Sequence, residues 1–192
     1  MTPRERYRQV ARLHVRCLDQ GFLATLGEGF LVQMYEAIDQ AEGTFLLTEE
    51  REGRVAGFIT GGAGMGAIYR RMMRRPVRLS VALLPALLSP AKLQRIFEIL
   101  RYSGDGKMPR GVPEPELLSL AVAPEWRGKA VADSLYARLV AAFRAQGVEG
   151  FRIIVGAALA PAHRFYQRMG AVPAGEVEVH AGESSTVYVH RV

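Results

Sequence analysis

The stretch Glu116-Leu117-Leu118-Ser119-Leu120-Ala121-Val122-Ala123-Pro124-Glu125-Trp126-Arg127-Gly128-Lys129-Ala130-Val131-Ala132 decides how this 192-residue chain folds. Its first seven residues form a nearly continuous apolar run, the pattern of a strand buried on both faces. Pro124 ends the run. From Gly128 to Ala145, Val131, Leu135, Leu139 and Phe143 recur at every fourth position, with Gly147 behind them. That spacing predicts a helix closed by a C′ glycine. A buried strand therefore passes into a helix through small residues, where unpaired N–H groups and the positive end of the helix dipole meet Arg127 and Lys129. Such a junction suits a phosphate group. A tight strand-to-helix turn with solvated cations is the plainer alternative.

Downstream, Phe151–Val155 reads as a second buried strand, and Ala160–Met169 as a helix with Pro161 in its first turn and Gly170 after it. Glu176–His180 and Thr186–His190 alternate as a hairpin around Ala181-Gly182-Glu183-Ser184. The order is β-α-β-α-β-β. Upstream, Arg4–Leu18 and Glu28–Asp39 carry helical periodicity, and Thr44–Thr48 and Val55–Thr60 are β-favouring runs joined by residues 49–54. The glycines at 61, 62, 64 and 66 read as a loop, because no downstream acidic partner gives them a dinucleotide-binding context. Ile68–Arg101 is helical text interrupted by Pro76, Pro85 and Pro90, and residues 103–115 read as a loop.

At 49% hydrophobic and 23% charged, the composition is that of one ordinary globular domain. Ten basic and two acidic residues fall between Ala63 and Arg110, so a body of slightly negative charge carries one basic insertion at about 63–113. A nucleic-acid binder would spread its Arg and Lys over a recognition element, and no such partner is expected. The insertion permits a solvated face, an interfacial helix or a lid over an acceptor site; its place before the 116–122 strand favours the lid. The longest strongly apolar stretch, Leu79–Leu88, is about half of the ~20 residues that cross a bilayer. A lone Cys17 and an opening without a signal-like apolar core predict a cytoplasmic protein. Cys17 reads as a packing residue, and the four histidines form no metal-spaced set.

The segment V-x-P-x-x-R-G-K-A-V-A resembles the pyrophosphate loop of the GNAT acyltransferase superfamily, whose pattern is Q/R-x-x-G-x-G/A. Ala162-His163-Arg164-Phe165-Tyr166-Gln167-Arg168-Met169-Gly170-Ala171 resembles the A-x-x-F/L-Y-x-x-x-G-F signature of the same family. The resemblance is specific over Glu116–Ala171. It implies an α/β (α+β) fold over residues 1–192, with a mixed, mostly antiparallel central sheet, flanking helices and a helical insertion before the cofactor strand.

It also implies acetyl-CoA as acyl donor and a primary amine as acceptor, with direct attack through a tetrahedral intermediate. Leu120, Ala121 and Val122 would bond the pantetheine arm. Arg127, Gly128, Lys129, Ala130, Val131 and Ala132 would cradle the pyrophosphate. Tyr166 would protonate the departing thiolate, and Glu116, at a position resembling that of the base in some members, would deprotonate the amine. A solvated strand-end carboxylate, with a water chain as base, is the other reading of Glu116.

Three departures stand out. Ala130 replaces the first loop glycine, Leu159 stands where an Asn is frequent, and no strand text precedes the first helix. The first two motivate an alternative, a catalytically inactive CoA-binding module acting as sensor or interaction platform. No metal is implied, and a homodimer is compatible with the sequence.

Overall fold

The computed structural model describes residues 1–18, 22–74, 76–87, 108–109, 111–180 and 183–192. Helix α1 (Pro3–Cys17) is capped by the Thr2 hydroxyl and followed, after a 3-10 turn at Phe22–Leu26, by α2 (Glu28–Gln40). Strands β1 (Thr44–Arg51) and β2 (Arg54–Gly62) come next, then α3 (Met65–Met73) and α4 (Pro76–Leu87). The last part comprises β3 (Glu116–Val122), α5 (Val131–Ala145), β4 (Gly150–Gly156), α6 (Ala160–Arg168), β5 (Val172–His180) and β6 (Glu183–Arg191). Six strands form one sheet in the order β1-β2-β3-β4-β6-β5. Only the β3–β4 pair is parallel. The sheet is thus mixed and mostly antiparallel, with helices on both faces.

On one face α1 and α2 bury Val10, Leu31, Tyr35, Phe58 and Ala121. On the other, α5 buries Leu135, Leu139 and Phe143 against Ile59, Phe151 and Ile153. A side chain at Gly57 would stand 2.8 Å from Val131 Cγ1, and one at Gly61 2.9 Å from Leu139 Cδ1. These glycines let α5 lie close on β2. The expected loop at 61–66 is corrected accordingly: Gly61 and Gly62 complete β2, and only Gly64 flanks a helix, as the N-cap of α3.

The β1–β2 connection is shorter than expected. Both strands run to a two-residue turn at Glu52 and Gly53, whose φ values of 52° and 73° are the pair that a hairpin of this twist demands. The sheet begins at this hairpin, with β1 as its edge, so no strand is needed before α1. Pro85 does not interrupt α4, which continues to Leu87. Its missing N–H costs the Val81 carbonyl a partner, and Val81 is well exposed, so water can serve there.

Helices α3 and α4 rest on α2 through buried Ile68 and Met72, through Arg71 Nη2 donating to Gln40 Oε1 (3.1 Å), and through Gln33 Nε2 donating to the Arg78 carbonyl (2.8 Å). Residues 75, 88–107 and 110 of the basic insertion, with Arg75, Lys92, Arg95, Arg101, Lys107 and Arg110, lie outside the described residues, as do Ala181 and Gly182. Among the described residues no helix is long and apolar enough to cross a membrane.

Candidate active site

Strands β3 and β4 pair at only two positions, Glu116 with Arg152 and Leu117 with Ile153, although β3 continues to Val122 and β4 to Gly156. A bulge lies where the pairing stops. Thr60 faces Ser119 and Gly61 faces Leu117, which leaves Leu118 as an extra residue in β3. A bulge bends its strand, and here the result is a V-shaped gap between two parallel strands. The Ala123 N–H bonds the Ala56 carbonyl at 2.9 Å, so strand alternation turns the Ala121 backbone toward β2. Leu120 and Val122 present their backbone groups to the gap. Of the expected trio, Ala121 thus turns its backbone to β2.

The junction after β3 is a 3-10 turn, Pro124–Trp126, followed by the turn Arg127–Ala130. Helix α5 begins at Val131, three residues later than its periodicity suggested, because Gly128 (φ 73°) and Ala130 (φ 57°) both take left-handed conformations. Nothing stands within 4 Å of a Cβ built on Gly128. The glycine is needed for its backbone angle, and the space beside it is open. Ala130 adopts the same region with a methyl group, at a cost of roughly 1 kcal/mol.

No side chain caps the N-terminus of α5, and its first backbone bond is Ser134 N–H to Ala130 C=O (3.0 Å). The N–H groups of Val131, Ala132 and Asp133 precede that bond and have no intrahelical acceptor. Asp133, in the same turn, would repel an anion. Arg168 from α6 lies 2.5 Å from it, and that hydrogen bond holds the carboxyl below its usual range while cancelling its charge. Arg127 Nε donates to the Val122 carbonyl (3.2 Å), which ties the turn to the strand end, and Lys129 Nζ lies 4.5 Å from the centre of the Trp126 ring. These residues fit a diphosphate by chemistry: orphan amides, two cations and room at Gly128.

Tyr166 hangs from α6 and is 8% exposed, packed on Tyr136 and Phe165. Burial pushes its phenol pKa well up, so the group stays protonated. Helix α6 is fixed by His163, whose Nε2 lies 3.1 Å from the Gly156 carbonyl and whose Nδ1 lies 2.8 Å from Tyr188 Oη. A carbonyl can only accept, so Nε2 carries the proton and Tyr188 donates to Nδ1.

Glu116 stands at the closed end of the V. Its Oε2 accepts from Arg152 Nε at 2.8 Å, and burial raises its pKa against the opposing pull of that arginine. The structure thus gathers Leu120, Val122 and residues 127–132 along one side of the gap, and ties Glu116 to a cross-strand partner. Cys17 is half-buried, with Sγ 3.7 Å from the Val122 carbonyl. Among the described residues no cluster of three His, Cys, Asp or Glu could hold a metal ion.

Sequence reasoning missed the Arg168–Asp133 and His163–Tyr188 contacts. Their partners lie 35 and 25 residues apart, beyond any periodic signal.

No curated protein matches the chain in a sequence search. Among solved structures it is similar to an N-acetyltransferase from Staphylococcus aureus Mu50, at 15% identity and TM-score 0.62, over 98% of this chain and 93% of that one. It is likewise similar to Ard1 from Thermoplasma volcanium, at 15% identity and TM-score 0.59, over 100% and 94%. At such identities the likeness concerns the fold. The model of the acetyltransferase (GNAT) family matches residues 9–171, the span from the first helix to the end of the α6 signature, and this chain belongs to that family.

Proposed function

We propose that the chain is an N-acetyltransferase that moves an acetyl group from acetyl-CoA to a primary amine. The observation that carries the reading is the gap where β3 leaves β4, placed next to an uncapped helix N-terminus with two cations. Acetyl-CoA would supply the activated acyl group. The amides of Gly128–Ala132, with Arg127 and Lys129, hold its diphosphate. Backbone groups of Leu120 hold the arm, and the Val122 N–H opposes charge growing on the carbonyl oxygen.

An alkylamine with a pKa near ~10.4 must lose a proton before it attacks. Glu116 accepts that proton directly or through water; burial shifts its carboxyl in the direction a neutral-pH base needs. Tyr166 donates its phenolic proton to the leaving sulfur. A thiol pKa of ~8.5 makes that assistance helpful rather than obligatory.

The engagement of Glu116 by Arg152 favours one rival, a module that binds CoA without turnover. Incubation with acetyl-CoA and a panel of amines (a polyamine, an amino sugar, lysine and an N-terminal tripeptide), followed by mass spectrometry, separates the two. The enzyme reading expects one added acetyl group on at least one amine. Cofactor binding with no product on any amine would support the silent module.

A further inference from the structure

Between Glu52 and Glu98 the sequence holds no acidic residue, and helices α3 and α4 fall inside that span. Arg70, Arg74 and Arg78 are exposed there, and none of the ion pairs among the described residues engages them. No acid on the two helices opposes their charge.

Helix α4 is also apolar on two opposite sides. Leu79, Ala82 and Leu83 pack inward on the cluster under α1 and α2. At about 100° per residue, Val77 and Val81 fall on the other side, where they are 75% and 61% exposed. Met73, the last residue of α3, is 63% exposed. A helix that serves only the core carries polar residues on its outer face. This one carries valines flanked by arginines.

We infer that the outer face of α3 and α4 docks on the surface of an anionic lipid bilayer, with Met73, Val77 and Val81 below the headgroups and Arg70, Arg74 and Arg78 at the level of the phosphates. Charge and shape select this occupant. A second copy of the chain would set the same arginines against each other. A protein partner buries about 800 Å² per side around anchors seated in pockets. Here aliphatic side chains stand on a convex helix, and the hollow beside α4, lined by Glu36, Gln40, Arg71 and Arg78, holds about 30 Å³, room for one water. A nucleic acid would leave the valines in water. A bilayer interface accepts both features, apolar tips and cations on long stems. The inference is independent of the acetyltransferase reading, and it takes the interfacial alternative rather than the lid for α3 and α4, which rest on α2.

Vesicle sedimentation of the full chain tests it. Wild type should bind vesicles of phosphatidylglycerol and phosphatidylcholine at low salt, ignore phosphatidylcholine alone, and be released as salt rises. Arg74→Ala with Arg78→Ala should lower partition by about 25-fold, roughly fivefold per cation. Val77→Ser with Val81→Ser, which keeps the charge, should lower it by about tenfold. Both valines are exposed, so urea midpoints should stay near wild type. Val77→Trp should bind more tightly, its emission moving to the blue on anionic vesicles; an unshifted emission overturns the inference even where the serine variants are poorly folded. No binding to anionic vesicles at low salt overturns it, as does binding indifferent to the valine substitutions, the mark of diffuse attraction without apolar insertion. Capture of the chain by immobilised polyglutamate, with the same dependence on Val77 and Val81, assigns the face to an acidic protein and overturns it likewise.

Discussion

The two faces of the sheet bury polar groups in opposite ways. Under α1 and α2, the imidazole of His14 is hydrogen-bonded to the phenol of Tyr35 and the hydroxyl of Thr60 to that of Ser119, each at 2.6 Å. Under α5, Tyr136 is 1% exposed and its Oη has no partner among the described residues; the same holds for His190 Nδ1, on a ring edge-to-face with Tyr136 at 5.3 Å. That second face is an aromatic box of Phe143, Phe151, Phe165, Tyr136 and Tyr166. A bonded buried hydroxyl contributes stability, whereas an unbonded one costs it. The first face thus pairs its buried hydroxyls, and the second leaves the Tyr136 hydroxyl without a partner among the described residues.

The contrast is testable from the largest effect downward. Tyr166→Phe should lower kcat by about 10²-fold with acetyl-CoA affinity unchanged; an unchanged rate would remove the phenol from the chemistry. The next effect belongs to His14, whose pKa burial lowers from 6.5 to about 4. The folded state resists a proton that the unfolded chain accepts below pH 6.5, so stability is complete above that pH and falls between pH 6.5 and 4. The loss amounts to about 3 kcal/mol at the lower end. Thermal melts of His14→Gln should show a shallower decline over that window than wild type; parallel curves would contradict the assignment.

A matched pair comes third. Tyr35→Phe should destabilise by about 1–2 kcal/mol in urea unfolding, and Tyr136→Phe should be neutral or stabilising by about 1 kcal/mol. Equal losses would erase the distinction between the faces. The smallest effect is Ala130→Gly, which relieves a left-handed alanine and should raise stability by less than about 1 kcal/mol.

The parts of the fold that periodicity governs could be read in advance. The fourfold spacing of Val131, Leu135, Leu139 and Phe143 gives α5 because one apolar stripe must face the sheet. The Arg127–Ala132 and Tyr166 motifs carried the resemblance to the family whose model matches residues 9–171. The onset of α5 was not legible, since left-handed angles at Gly128 and Ala130 delay it, and alanine does not announce that conformation. Nor was the position of the bulge that opens the V-shaped gap. It lies at Leu118, and a leucine there looks like any strand residue. The His14–Tyr35 and Thr60–Ser119 pairs each join two elements, and no local pattern can bring such positions together.

The central claim is that the amides opening α5 grip a diphosphate. Amide ¹H–¹⁵N spectra recorded while acetyl-CoA is added test it most directly. The account predicts the largest shifts at Gly128–Ala132, with smaller ones at Leu120 and Val122. Shifts centred on another surface, or none at saturating ligand, would contradict it.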